Sequence, residues 1–169
     1  GNTVTGGSSN RSGGSYGGLG EIEIPEETVI QFPEGLVGFH DAVRFVIFDC
    51  TEDGIFKWLQ SCDRPELAFV ICEARLIVPN YEILIGEKEQ TALKLQRPED
   101  AAVCLILMIP TDPQETTANL LGPIVMNAET RIGMQMVLVN PHYSARHRVF
   151  CGAAATPASG DGGGSRCSS

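Results

Sequence analysis

Apolar and polar positions alternate in short runs along most of this chain. Ile22 and Ile24 alternate with Glu21 and Glu23, and runs rich in β-branched and aromatic residues follow at 28–32, 44–49, 56–61, 67–72, 81–85, 102–109, 117–121, 124–127 and 133–139. Runs this short, separated by turn residues, predict strands. Pro33, Gly35, Pro65, Pro79, Pro98, Pro110, Pro113 and Pro141 fall between them, where a missing backbone donor harms a ladder least. Only 87–95, rich in Glu, Lys, Gln, Ala and Leu with Gly86 before it and Pro98 after, predicts a helix. With so little helix for crossovers, the strands are expected to pair as antiparallel hairpins and meanders. Runs 124–127 and 133–139 form the clearest hairpin. The expected fold is therefore mainly β: a single antiparallel domain, a partly open barrel or sandwich-like, with at most one or two short helices.

Composition shifts at both ends. Residues 1–20 are almost all Gly, Ser, Asn and Thr, and residues 151–169 repeat that character with Ala, Gly and Ser. Such stretches lack the apolar surface that offsets chain ordering, so they are expected to be disordered tails on a domain spanning 21–150. A segment of that size can bury one hydrophobic core without metal or disulfide.

Charge narrows the choice of partners. The net charge is -9, and residues 21–150 hold 10 basic against 20 acidic residues. A nucleic-acid partner needs a basic stripe to displace counterions, and the one compact basic cluster, Arg146, His147 and Arg148, reads as a solvated face. An acidic domain is instead suited to steering a basic protein toward itself. No run approaches the roughly 18 apolar residues of a membrane span. No signal-like leader is visible, and the six cysteines form no C-x-x-C pair, with Cys72 and Cys104 inside apolar runs as core residues. A soluble chain in a reducing cytoplasm is expected.

Catalytic motifs are hard to find. There is no G-x-S-x-G, no H-E-x-x-H and no Gly-Lys-Ser or Gly-Lys-Thr. His40, His142 and His147 read as surface or loop residues. The acidic pairs Glu26 with Glu27, Glu52 with Asp53 and Glu99 with Asp100 read as solvated turns. The expectation is a binding protein with no catalytic residue, no metal ligand and no cofactor.

Three stretches go beyond generic β patterning. The first is Phe32-Pro-Glu-Gly-Leu-Val-Gly-Phe39, whose Gly35 and Gly38 permit backbone angles closed to other residues, while Leu36 and Phe39 can fold back on the sheet. The second is Trp58-Leu59-Gln60-Ser61 followed by Pro65-Glu-Leu-Ala-Phe69. The third is Thr117-Ala-Asn119-Leu120-Leu-Gly122-Pro123-Ile-Val-Met-Asn127, continuing through Gly133 to Gln135. In it Gly122-Pro123 makes a corner that Asn119 and Asn127 can hold by bonding nearby backbone. Together these stretches, in this order, resemble the flagellar assembly factor family FliW over 22–148. The chain departs from that pattern at Ile71-Cys-Glu-Ala74, where relatives often carry Asp-Pro, and at Met126, usually β-branched.

The resemblance implies a cytoplasmic regulator that binds flagellin and the small basic RNA-binding carbon storage regulator CsrA, removing CsrA from flagellin messenger RNA so that it is translated. Contact candidates are Glu21, Glu23, Glu26 and Glu27, with the apolar Phe32, Leu36 and Phe39, which core packing also explains. Gly35, Gly38, Leu59, Gln60, Ser61, Asn119, Leu120, Gly122, Pro123, Asn127 and Gln135 are expected to shape the fold. Two alternatives stay open: a flagellin chaperone that binds no CsrA, and a β-barrel holding a small ligand.

Overall fold

The alternation at 44–49 sends Phe45 and Ile47 to one side of their strand and Val46 and Phe48 to the other, and the structure buries both sides. A computed structural model describes residues 24–150. The predicted tails lie outside the described residues, as do Glu21, Ile22 and Glu23. Among the described residues the strands are β1 (Ile30–Gln31), β2 (Arg44–Asp49), β3 (Phe56–Ser61), β4 (Ala68–Glu73), β5 (Ala102–Met108), β6 (Thr117–Ala118), β7 (Ile124–Asn127), β8 (Ile132–Gln135) and β9 (His147–Arg148). Two short helices, α1 (Ala74–Ile77) and α2 (Glu87–Leu93), lie between β4 and β5.

The sheet order is β4-β3-β2-β1-β8-β7-β5, and β4 also pairs with β5, so the sheet closes on itself as a barrel. β6 and β9 extend from the far half of β5, where Leu107 and Met108 pair with Ala118 and Thr117. The mainly β expectation holds, in its barrel form and with two short helices. Closure is complete rather than partial. One pairing departs from the antiparallel expectation: β1 meets β8 in parallel, with Gln31 opposite Ile132 and its N–H donating to the Arg131 carbonyl at 2.8 Å. A contact two residues long needs no crossover helix of its own, because the rest of the barrel supplies the return path.

Side chains facing inward fill the lumen. Phe32, Phe45, Leu36, Leu59, Ile71 and Ile124 are almost wholly buried there, with the Phe32 and Phe45 rings edge to face at 5.2 Å. The outward faces are apolar too, and other parts of the chain cover them. Ile24 and Val29 lie over Val46, α1 and the segments around Tyr81, Leu138 and Tyr143 lie over Val70, Cys72, Leu105 and Leu107, and Leu93 of α2 lies over Val125.

Other differences from expectation have local causes. The run 81–85 alternates in burial as a strand would, yet it joins no ladder. Its anchors are side chains: the Tyr81 hydroxyl donates to the Leu120 carbonyl at 2.7 Å, and the Glu82 N–H donates to the Tyr143 hydroxyl at 2.9 Å. The run 133–139 leaves the ladder after Gln135 but stays tied to the third motif, with Met136 and Leu138 N–H groups donating to the Pro123 and Leu121 carbonyls. The runs at 28–32 and 117–121 shrink to two-residue strands. Helix α2 stops at Leu93 rather than 95 because Lys94 adopts a left-handed conformation, φ 59°, and closes the helix end.

Candidate functional site

Glycine sets the first motif. Gly35 has φ 67° and Gly38 φ 88°, and a Cβ on Gly35 would collide with the Phe39 carbonyl oxygen and the His40 backbone. The turn is held by Leu36 and Phe39, whose N–H groups donate to each other's carbonyls at 3.1 and 2.7 Å. Phe32 and Leu36 point into the lumen and are 0% and 2% exposed, so of the three apolar contact candidates only Phe39, half-buried, reaches the surface. Its ring packs edge to face on Phe69 and lies under the Arg64 guanidinium, 5.6 Å from the centroid. Val37, at the tip, is 57% exposed. Glu26 and Glu27 are exposed on a 3-10 turn just before β1, while Glu21 and Glu23 lie outside the described residues.

The polar residues of the second and third motifs are turned toward backbone. The buried Gln60 amide donates to the carbonyls of Ser61, Pro65 and Leu67, each at 3.1 Å. The Ser61 hydroxyl oxygen accepts from the N–H groups of Asp63 and Arg64, and the Asp63 carboxylate accepts from those of Val43 and Arg44. Asn119 accepts from the Leu121 N–H. Asn127 donates to the Leu93 and Lys94 carbonyls at the end of α2, and accepts from the Glu129 and Thr130 N–H groups. Gln135 links two motifs: its Oε1 accepts from the Val37 N–H at 2.8 Å, and its Nε2 donates to the Gly122 carbonyl at 3.0 Å. Leu59, Leu120, Gly122 and Pro123 are buried beside them. Each of these polar side chains is thus bonded to backbone, and the apolar ones are buried.

A groove of about 780 Å³ opens at the barrel end where Asp49 stands opposite Lys57 and Glu73 opposite Cys104. Its floor is apolar, including Ile83, Ile85 and Val103, and Ile55 and Leu76 stand exposed at its sides. Glu73, Glu82 and Glu99, all exposed, form an acidic rim. Two cations also line it: Lys57 binds Asp49 at 2.7 Å, and Arg75 Nε donates to the Tyr81 carbonyl at 3.2 Å. Cys72 and Cys104 also line the groove. Burial first, and the Glu73 charge second, push the Cys72 thiol up to about 11; burial pushes Cys104 up to about 12, with Cys72 the next contributor. Neither is a thiolate near neutrality, so the groove holds no activated sulfur nucleophile. An apolar floor under an acidic rim suits a protein segment carrying basic and apolar side chains. Ile55, Glu73, Leu76 and Glu82 escape sequence reading because they come from separate elements with no shared motif.

The class defined by this fold is a closed β-barrel, filled inside by apolar side chains. The FliW protein family model matches residues 17–149. The chain belongs to the FliW family of flagellar assembly factors. It is 40% identical over 132 residues to the flagellar assembly factor FliW of Bdellovibrio bacteriovorus, covering 78% of this chain and 75% of that protein. It is 36% identical over 137 residues to the FliW of Leptospira interrogans serovar copenhageni, covering 80% and 91%. A crystal structure of the flagellar assembly factor FliW superposes with a TM-score of 0.74 at 34% identity, covering 80% of this chain and 94% of that one. Among the described residues, no helix is long and apolar enough to cross a membrane.

Proposed function

We propose that this protein is a partner-switching regulator in the cytoplasm. It binds the carbon storage regulator CsrA and flagellin, and by removing CsrA from flagellin messenger RNA it permits translation. Newly made flagellin then competes for the protein and returns CsrA to the message. The observation that supports this reading is the acidic, apolar-floored groove, on a domain with twice as many acidic as basic residues. CsrA is the basic client, and Glu26 and Glu27, with Glu21 and Glu23 before them, add to the field that steers it. The switch needs only mutually dependent binding, with a coupling free energy of roughly 1 to 3 kcal/mol, and an interface of about 1,600 Å² suffices for each client.

The test is titration calorimetry with the cognate CsrA, repeated after loading the protein with flagellin. Tight binding that loading weakens, and that weakens further as salt rises from about 0.05 to 0.5 M, is the expected result. Flagellin binding with no heat from CsrA would reduce the role to flagellin chaperoning. Silence from both clients, each shown folded, would end the reading.

A further inference from the structure

The basic cluster Arg146-His147-Arg148 takes on a different meaning once folded. β9 sits at the free end of the sheet, next to β6, and brings Arg146 and Arg148 to a second groove of about 430 Å³. Ile106, Leu107 and Met108 of β5 line it together with Thr117, Asn119 and Ala145. At this end of β5 Leu107 is buried, but Met108, which lines the groove, is 69% exposed, and Ile109, just beyond the strand, is 46% exposed. Adjoining exposed apolar groups of this kind mark interaction surfaces.

The charge at this groove is opposite in sign to the molecule's. The Arg146 side chain makes no hydrogen bond or ion pair among the described residues. Arg148 donates to the Gln114 carbonyl at 3.2 Å and lies 3.7 Å from Glu115, both side chains about half exposed. That separation is well beyond the 2.7–2.9 Å of a charge-assisted bond, so Glu115 leaves Arg148 with unspent donors. Two guanidinium forks beside an apolar trough match a carboxylate carried next to an apolar side chain. Nucleic acid fits less well: the chain carries -9 overall, and no aromatic side chain lines this groove on which a base could stack.

We infer that this groove docks an acidic, amphipathic segment of a partner protein, whose apolar side chain lies against Met108 and whose carboxylates meet Arg146 and Arg148. This site differs in place and in sign from the acid-rimmed groove at α1. It does not depend on which proteins the chain regulates.

The test uses the intact protein labelled with nitrogen-15 and a synthetic peptide of alternating Glu and Leu, with a Lys-for-Glu twin and an oligothymidylate of equal length as controls. Saturable shifts from the Glu peptide, centred on the amides of residues 106–109, 117–119 and 145–148, are expected. Arg146→Glu and, separately, Met108→Asp should each weaken that binding roughly tenfold, while Glu115→Gln should strengthen it. Arg146 and Met108 are both exposed, so these variants leave the core untouched, and an unchanged melting curve verifies it. Shifts centred elsewhere, no shifts at millimolar peptide, equal binding by the Lys twin, stronger binding by the oligothymidylate, or unchanged affinity in both weakening variants would each overturn the assignment.

Discussion

Gln135 reaches from β8 to the tip of the glycine turn and accepts the Val37 N–H at 2.8 Å, while its own amide donates to the Gly122 carbonyl. One half-buried side chain thus fixes two turns that are far apart in sequence. Gln135→Ala should cost about 0.5–1.5 kcal/mol for each of the two hydrogen bonds it removes. Denaturant unfolding gives the size. Faster hydrogen exchange at Val37 gives the location.

Gly133 has ordinary backbone angles, yet it admits no side chain: a Cβ there would stand 2.7 Å from the Phe32 ring. Gly133→Ala should destabilise the barrel by about 1–3 kcal/mol through overpacking. Phe32→Leu in the same chain should recover part of the loss. A double-mutant cycle on melting curves measures the coupling, and additivity would show that ring and glycine do not interact.

Asn127 ties β7 to the end of α2 through the Leu93 and Lys94 carbonyls. Asn127→Asp keeps the size and the accepting oxygen but sets a carboxylate against two carbonyls at the negative end of a helix. It should destabilise more than Asn127→Ala, reversing the usual order for a near-isosteric change. Thermal unfolding of the two variants side by side decides this.

The two groove thiols carry a pH dependence. Both are raised in the folded protein, from 9.0 to about 11 for Cys72 and about 12 for Cys104. The folded state keeps protons that the unfolded chain releases above pH 9. Their contribution is therefore whole below about pH 9 and is lost as pH climbs through 11 to 12. Cys72→Ala should flatten the alkaline decline in stability. At pH 8, alkylation followed peptide by peptide should leave Cys72 and Cys104 unmodified until the protein is unfolded.

Sequence reading worked best where side-chain pattern and ladder coincide. Strands β2, β3 and β7 fall where alternation and turn residues place them, because Phe45, Leu59 and Ile124 each need the interior. It did less well where burial and hydrogen bonding separate. Residues 81–85 carry a strand's alternation, but the neighbour that buries them offers a tyrosine hydroxyl in place of a backbone edge. Neither the parallel contact between Gln31 and Ile132 nor helix α1, four residues long, leaves a local trace. The positive φ of Gly35 and Gly38 and the backbone bonds of Asn119 and Asn127 fall at turns that the motifs mark. The grooves were not legible in the sequence, since Arg146 becomes informative only beside Met108, a neighbour that the return of the chain alone supplies.

The parallel meeting of β1 and β8 also sets an order of events during synthesis. Strands β1 to β4 emerge first and can form a meander by local pairing, but that sheet is apolar on both faces and open at the β1 edge. The strand that seals this edge lies a hundred residues further along the chain. Until Ile132 has left the ribosome the β1 edge of the nascent sheet stays unsealed, so the window in which that edge is open to wrong pairing is defined by the chain's own topology.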